Sequence, residues 1–251
     1  MLILLTNDDG IYAPGLAAMR AALEPLGEVV IVAPDIERSA AAHSITLDKP
    51  LRVRKIYVGD AFLGWAVDGS PVDCVKIAVK EVLERAPDLI VSGVNPGANV
   101  GINVLYSGTV AASLEGAILG HTSIAVSLAN AAKPDFAAAG RIAKAVISQI
   151  IGLKPPKGSL FNVNLPVDTD HIAGVAIAPQ ATVSYDDIFD MRVDPRGGKY
   201  YWMTGNMNQA GILPDTDVAL LASGHVTITP LQYDLTNQRM LKTISGWEIR
   251  I

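Results

Sequence analysis

Short, wholly apolar runs that stop abruptly at a polar or glycine-rich turn recur along this chain, with longer amphipathic stretches between them. Runs without polar alternation need cover on both faces, which a parallel sheet beneath crossover helices provides. The expected strands are Leu2–Thr6, Val29–Pro34, Asp88–Ser92, Ser123–Leu128 and Leu160–Leu165. Helices are expected over Gly15–Leu26, Ser70–Arg85 and Asp135–Ile151, the last ending at Gly152. The second has Ser70 as cap, Pro71 in the first turn and Asp73 three residues on, with Val72, Val75, Val79, Val82 and Leu83 on one face. The pattern predicts one α/β domain over residues 1–251 with a doubly wound sheet. At about 180–212 the text turns to Asp, Gly, Tyr and Asn with weak periodicity, which predicts a hairpin excursion, and Val218–Pro230 reads as strand again. Tyr200, Tyr201 and Trp202 are expected to pack that excursion.

Ligands of such sheets bind beyond the carboxyl ends of the strands, so the residues after each apolar run are the candidates. The first run ends in Asn7-Asp8-Asp9-Gly10. Adjacent carboxylates repel each other, and a cation between or beside them explains why both would stay ionised. Hard oxygen ligands of this kind suit one Mg²⁺ or Mn²⁺ per subunit. Ser39 and Asn95, if their loops converge on the same edge, add neutral oxygens. Ser107, Gly108 and Thr109 stand where a helix begins, so their N–H groups and the helix dipole are suited to a phosphate. Asn99 in the Gly93–Gly101 segment and His43 are further substrate-binding candidates, His43 as acid or phosphate contact. Asp8 or Asp9 is the expected catalytic base, and the residues leave that choice open.

Other templates fail. The chain has neither the dinucleotide fingerprint nor a Walker-A sequence, and Ser107 is not in a nucleophile elbow. Asp215–Asp217 precedes an apolar run instead of following one, which places it poorly as a phosphoaspartate nucleophile. A phosphoaspartate enzyme and a non-catalytic nucleotide-binding module remain the alternatives. A net charge of −5 without a Lys/Arg cluster argues against polymeric nucleic acid. Cys74 is the single cysteine, which excludes an intramolecular disulfide and reads as a buried small residue. The Leu2–Leu5 run lacks a basic flank and is too short to span a bilayer, so a cytoplasmic protein without a membrane partner is expected.

Taken together, NDDG at Asn7, RSAAAHSIT at Arg38, GSPVDCV at Gly69, VSGVNPGANVG at Val91 and YSGTVAASLEG at Tyr106 resemble the SurE family. The likeness continues through DPRGGKYYW at Asp194, TDVALLASGHVTITPL at Thr216 and DLT at Asp234. It implies a Rossmann-like core, and a metal-dependent phosphatase acting on nucleoside 5′- and 3′-monophosphates, with polyphosphate trimmed by some members. By motif the metal ligands fall on Asp8, Asp9, Ser39 and Asn95. The resemblance also implies a C-terminal oligomerisation extension, about 232–251 here, exchanged between subunits of a homodimer or homotetramer. Members often carry glycine after the loop serine, where this chain has Ala40.

Overall fold

The computed structural model describes residues 1–183, 185–207 and 211–248. Residues 184 and 208–210 of the expected excursion, and 249–251 of the C-terminal segment, lie outside the described residues. The strands are β1 (Leu2–Thr6), β2 (Glu28–Pro34), β3 (Val53–Val58), β4 (Ala61–Val67), β5 (Leu89–Pro96), β6 (Ser123–Leu128), β7 (Leu160–Leu165), β8 (Gly174–Ile177), β9 (Tyr185–Val193), β10 (Lys199–Met207) and β11 (His225–Leu231). The helices are α1 (Pro14–Leu23), α2 (Pro71–Ile77), α3 (Gly108–Ile118), α4 (Phe136–Gly152), α5 (Asp217–Ala222) and α6 (Gln238–Ile244).

Nine strands form one sheet in the order β3-β4-β2-β1-β5-β6-β7-β11-β8, parallel from β4 through β7. All five residues of β1 are buried, and their side chains alternate between two cores as the pleat requires. Ile3 and Leu5 pack with Leu16, Met19 and Leu23 of α1 and with Ala143 and Ile147 of α4. Leu4 packs on the opposite face with Cys74 and Val75 of α2 and Ala112 of α3. Each such side chain, fully buried, contributes about 1.5–3 kcal/mol. The sheet is thus covered on both sides, and its central strands can be apolar throughout.

Three expectations change. The helix from Ser70 keeps its capping box, Ser70 accepting from Asp73 N and Asp73 from Ser70 N, but is α-helical only to Ile77 and continues as a wider π turn over Ala78–Val82. Val218–Pro230 is not one strand: Asp217–Ala222 is helix and only His225–Leu231 is strand. The Ala- and Leu-rich stretch there favours helix, and Gly224, at φ +85°, turns the chain before β11. The excursion does form a two-stranded antiparallel sheet of β9 and β10, yet Tyr201 and Trp202 are 58% and 59% exposed, so they do not pack it. Three strands of the main sheet escaped the sequence reading: β8, and β3 and β4 at residues 53–67, joined by the two-residue turn Gly59-Asp60. No helix among the described residues is long and apolar enough to cross a membrane.

Candidate metal and phosphate site

From β1 the chain winds to β2 on one side, and it later crosses back to set β5 on the other. A crevice opens beyond the carboxyl ends of β1 and β5, where the winding reverses. A cleft of about 310 Å³ lies there, lined by Asp8, Asp9, Glu37, Ser39, Asn95, Asn99, Asn103, Tyr106 and Ser107 among others. The four expected ligands, Asp8, Asp9, Ser39 and Asn95, therefore share one cleft with two expected substrate contacts, Asn99 and Ser107. Glu37, beside Ser39, was not singled out in the sequence, where a lone Glu before an Arg-Ser turn carries no spacing signal.

Each acid is shaped by its neighbours. Asp8 is 6% exposed, and Thr109 Oγ1 donates a hydrogen bond to its Oδ1. Burial raises its pKa against the opposing effect of that hydroxyl. Burial, then the charges of Asp8 and Glu37, push Asp9 up to about 7. Asp9 Oδ2 is buried without a hydrogen-bond partner among the described residues. No Lys or Arg is among the residues that line the cleft. An orphaned carboxylate oxygen in an acidic cleft without a cationic side chain is what a bound cation would satisfy.

The neutral donors fit the same role. Asn95 Nδ2 donates to Gly97 O at 2.7 Å, which fixes the amide and leaves its oxygen as acceptor. A register irregularity between Ser92 and Asn95, where β5 meets β6, redirects the strand end that carries it. Ser39 Oγ donates to Glu37 Oε1 and keeps its lone pairs. Among the described residues no three His, Cys, Asp or Glu side chains form a metal cage; a carboxylate pair with neutral oxygens, the set expected from the sequence, would suit Mg²⁺ or Mn²⁺.

Ser107 caps α3 by accepting from Val110 N at 3.1 Å, and the helix starts at Gly108 against Asp8. A Cβ on Gly108 would lie 2.8 Å from Asp8 Cβ and 2.9 Å from Asp8 Oδ2, so only glycine lets the helix end approach the carboxylate. Gly93 has another reason: at φ +128°, its Cβ would fall 2.2 Å from Val126 O, so it accommodates the neighbouring strand and not a ligand.

Residues distant in sequence frame the loop after β5. Asn99 N donates to Asn164 Oδ1 at 2.8 Å, and Asn99 O accepts from Asn162 Nδ2 at 2.7 Å. Asn99 Nδ2 donates to Ser127 Oγ at 2.8 Å, so that nitrogen is committed to the frame. Gly101 N donates to Asp217 Oδ2 at 2.9 Å, and Gly101 O accepts from Gln180 Nε2 at 2.8 Å. Asp217 is fully buried and also accepts from Ala181 N at 2.8 Å, so it ties chain segments together. His43 does not line the acidic cleft. It lines an adjacent apolar cavity of about 440 Å³ with Leu105, Val110 and Leu114, which meets the cleft at Ser107.

Fold and cleft together define a Rossmann-like α/β protein with an acidic, oxygen-lined cleft at the point where the sheet reverses its winding. The chain belongs to the SurE family: residues 3–187 match the family described as Survival protein SurE. The 5′-nucleotidase SurE of Rhodopirellula baltica is 46% identical, with all of both chains covered. That of Heliobacterium modesticaldum is 41% identical over 98% of this chain and 92% of its own. The crystal structure of the SurE protein from Aquifex aeolicus superposes with a TM-score of 0.86 at 36% identity, covering 98% of each chain.

Proposed function

We propose that this chain is a divalent-metal-dependent phosphomonoesterase that hydrolyses nucleoside 5′- and 3′-monophosphates, with polyphosphate as a further substrate class. The observation that carries this reading is the convergence of Asp8, Asp9, Ser39 and Asn95 on one cleft, with Asp9 Oδ2 buried and unpartnered beside the start of α3. The names of the relatives, 5′-nucleotidase SurE, support the nucleotide as substrate.

Bound Mg²⁺ or Mn²⁺ would offset phosphate charge and acidify a nearby water. Asp8, Asp9, Ser39 and Asn95 would hold it. Thr109, Val110 and Ala111 N–H groups are taken by Asp8 and Ser107, so it is the Gly108 N–H at the start of α3 that would orient a phosphate oxygen, with the helix dipole favouring its charge. Asp8 has one oxygen committed to Thr109, whereas Asp9 would hold the cation through its buried Oδ2 and keep its Oδ1, so Asp9 is the better acceptor for the proton of the attacking water. Water attacks phosphorus, its proton passes to Asp9, the phosphorus–oxygen bond to the ribose breaks, and the departing oxygen takes a proton from solvent.

The test is phosphate release from 5′- and 3′-monophosphates and a polyphosphate, with Mg²⁺, Mn²⁺ or EDTA. Release from the monophosphates that EDTA abolishes and metal restores is expected. Folded protein that binds nucleotide but releases no phosphate with any metal would make it a binding module.

The protein is further proposed to assemble as a homodimer or homotetramer through 232–251. Supporting this, α6 buries no residue, and Tyr233, Leu235, Met240 and Trp247 are exposed large hydrophobics. Sedimentation should give a multimer for the full chain and a smaller species when the chain is cut after Leu231. A monomer at micromolar concentration would rule this out.

A further inference from the structure

One buried carboxylate in α3 has no part in the chemistry above. Glu115 is 2% exposed, accepts from Lys76 Nζ at 2.6 Å, and lies 3.0 Å from His43 Nε2. Lys76 belongs to α2 and His43 to the loop that follows β2. A carboxylate this deep needs its partners, because removing one leaves buried charge uncompensated. Glu115 thereby ties the loop to the helix whose first turn faces the cleft.

Between Ser39 and His43 the backbone is unusual. Ala40 and Ala42 both lie in the left-handed region, at φ 54° and 49°. That conformation is unfavourable for an L-residue and persists only where the surroundings hold the chain in it. The segment is held at both ends. Arg38 N donates to Asp8 O at 2.7 Å ahead of it. Behind it, Ala42 N donates to Tyr106 O at 3.2 Å and His43 meets Glu115. Ser70 Oγ donating to Ser44 O at 2.7 Å continues the anchorage.

We infer that His43 and Glu115 are positioning residues: their contact holds the strained Ala40–Ala42 segment so that Ser39 Oγ stays in the metal cleft. Neither is among the residues that line the acidic cleft. This rests on the reading of Ser39 as a ligand.

The test is Mn²⁺ binding to substrate-free protein, followed by the electron paramagnetic resonance of the free ion, in wild type, His43→Ala, Ser39→Ala and the double variant. His43→Ala should weaken Mn²⁺ by about five- to tenfold, as the loop relaxes out of its left-handed turns. On the Ser39→Ala background the same change should add less than about twofold, because the group being positioned is already gone. His43→Gln, whose amide nitrogen replaces Nε2, should stay within about twofold of wild type, and circular dichroism should show every variant folded. Equal weakening on both backgrounds, no weakening by His43→Ala, or a His43→Gln protein as weak as His43→Ala overturns the inference. Unaltered Mn²⁺ binding by Ser39→Ala alone would instead remove Ser39 as a ligand, and the inference with it.

Discussion

Asp9→Asn is expected to lower kcat/KM for nucleoside monophosphates about a thousandfold while the protein stays folded. The change removes an anionic ligand and the second carboxylate oxygen that would take the water proton, together worth several kcal/mol of transition-state stabilisation. A companion effect in metal-free protein separates a functional acid from a structural one. Because its pKa rises on folding to about 7, Asp9 takes up a proton as the chain folds, so its ionisation opposes folding. That opposition is absent below pH 4, grows as pH rises toward 7, and is full above it. In EDTA, Asp9→Asn should therefore unfold at higher urea than wild type at pH 8 and at the same urea at pH 3.5. Saturating metal should reverse the order at pH 8, since it binds the native wild type more tightly. A variant with normal turnover, or one less stable than wild type in EDTA at pH 8, would defeat the assignment.

Gly108→Ala should be nearly as damaging although it alters no polar group. The new methyl must displace Asp8, whose Cβ and Oδ2 it would approach to 2.8 and 2.9 Å, and the buried carboxylate has little room to yield. A shift of about 1 Å in a ligand or a phosphate-binding turn costs on the order of a hundredfold in rate. Steady-state kinetics should show that loss mainly in kcat, with the far-UV spectrum retained. Full activity would mean that Asp8 is freer to move than its burial and its Thr109 hydrogen bond indicate.

The strands buried on both faces were legible because they are mainly apolar: β1, β6 and β7 fall on their expected residues, and β2 and β5 within a few. β3 was not, since its exposed positions carry Arg54 and Lys55 and it lies at an edge of the sheet; the Gly59-Asp60 turn was the available signal. Asp8 and Asp9 stood out because paired acids at a strand end need a reason. Glu37 and Glu115 did not, as each is a single acid whose place shows only when distant residues, Asp9 for Glu37 and His43 and Lys76 for Glu115, come beside it. Ala40 falls between. Its departure from the family's usual glycine was visible in the sequence, and its left-handed backbone, φ 54°, is the conformation that glycine adopts without strain.

The loop that carries Asn95 and Asn99 is framed by Asn162, Asn164, Gln180 and Asp217, whereas every proposed ligand and the start of α3 lie at or before Gly108. Synthesis runs from the N-terminus, so the ligands emerge first and their frame last. The roughly 110 residues from Ser107 to Asp217 occupy a ribosome for about 5–20 s. Through that interval the nascent chain holds the carboxylate pair without the hydrogen bonds that fix the facing loop, so an ordered metal cleft must await the final third of translation.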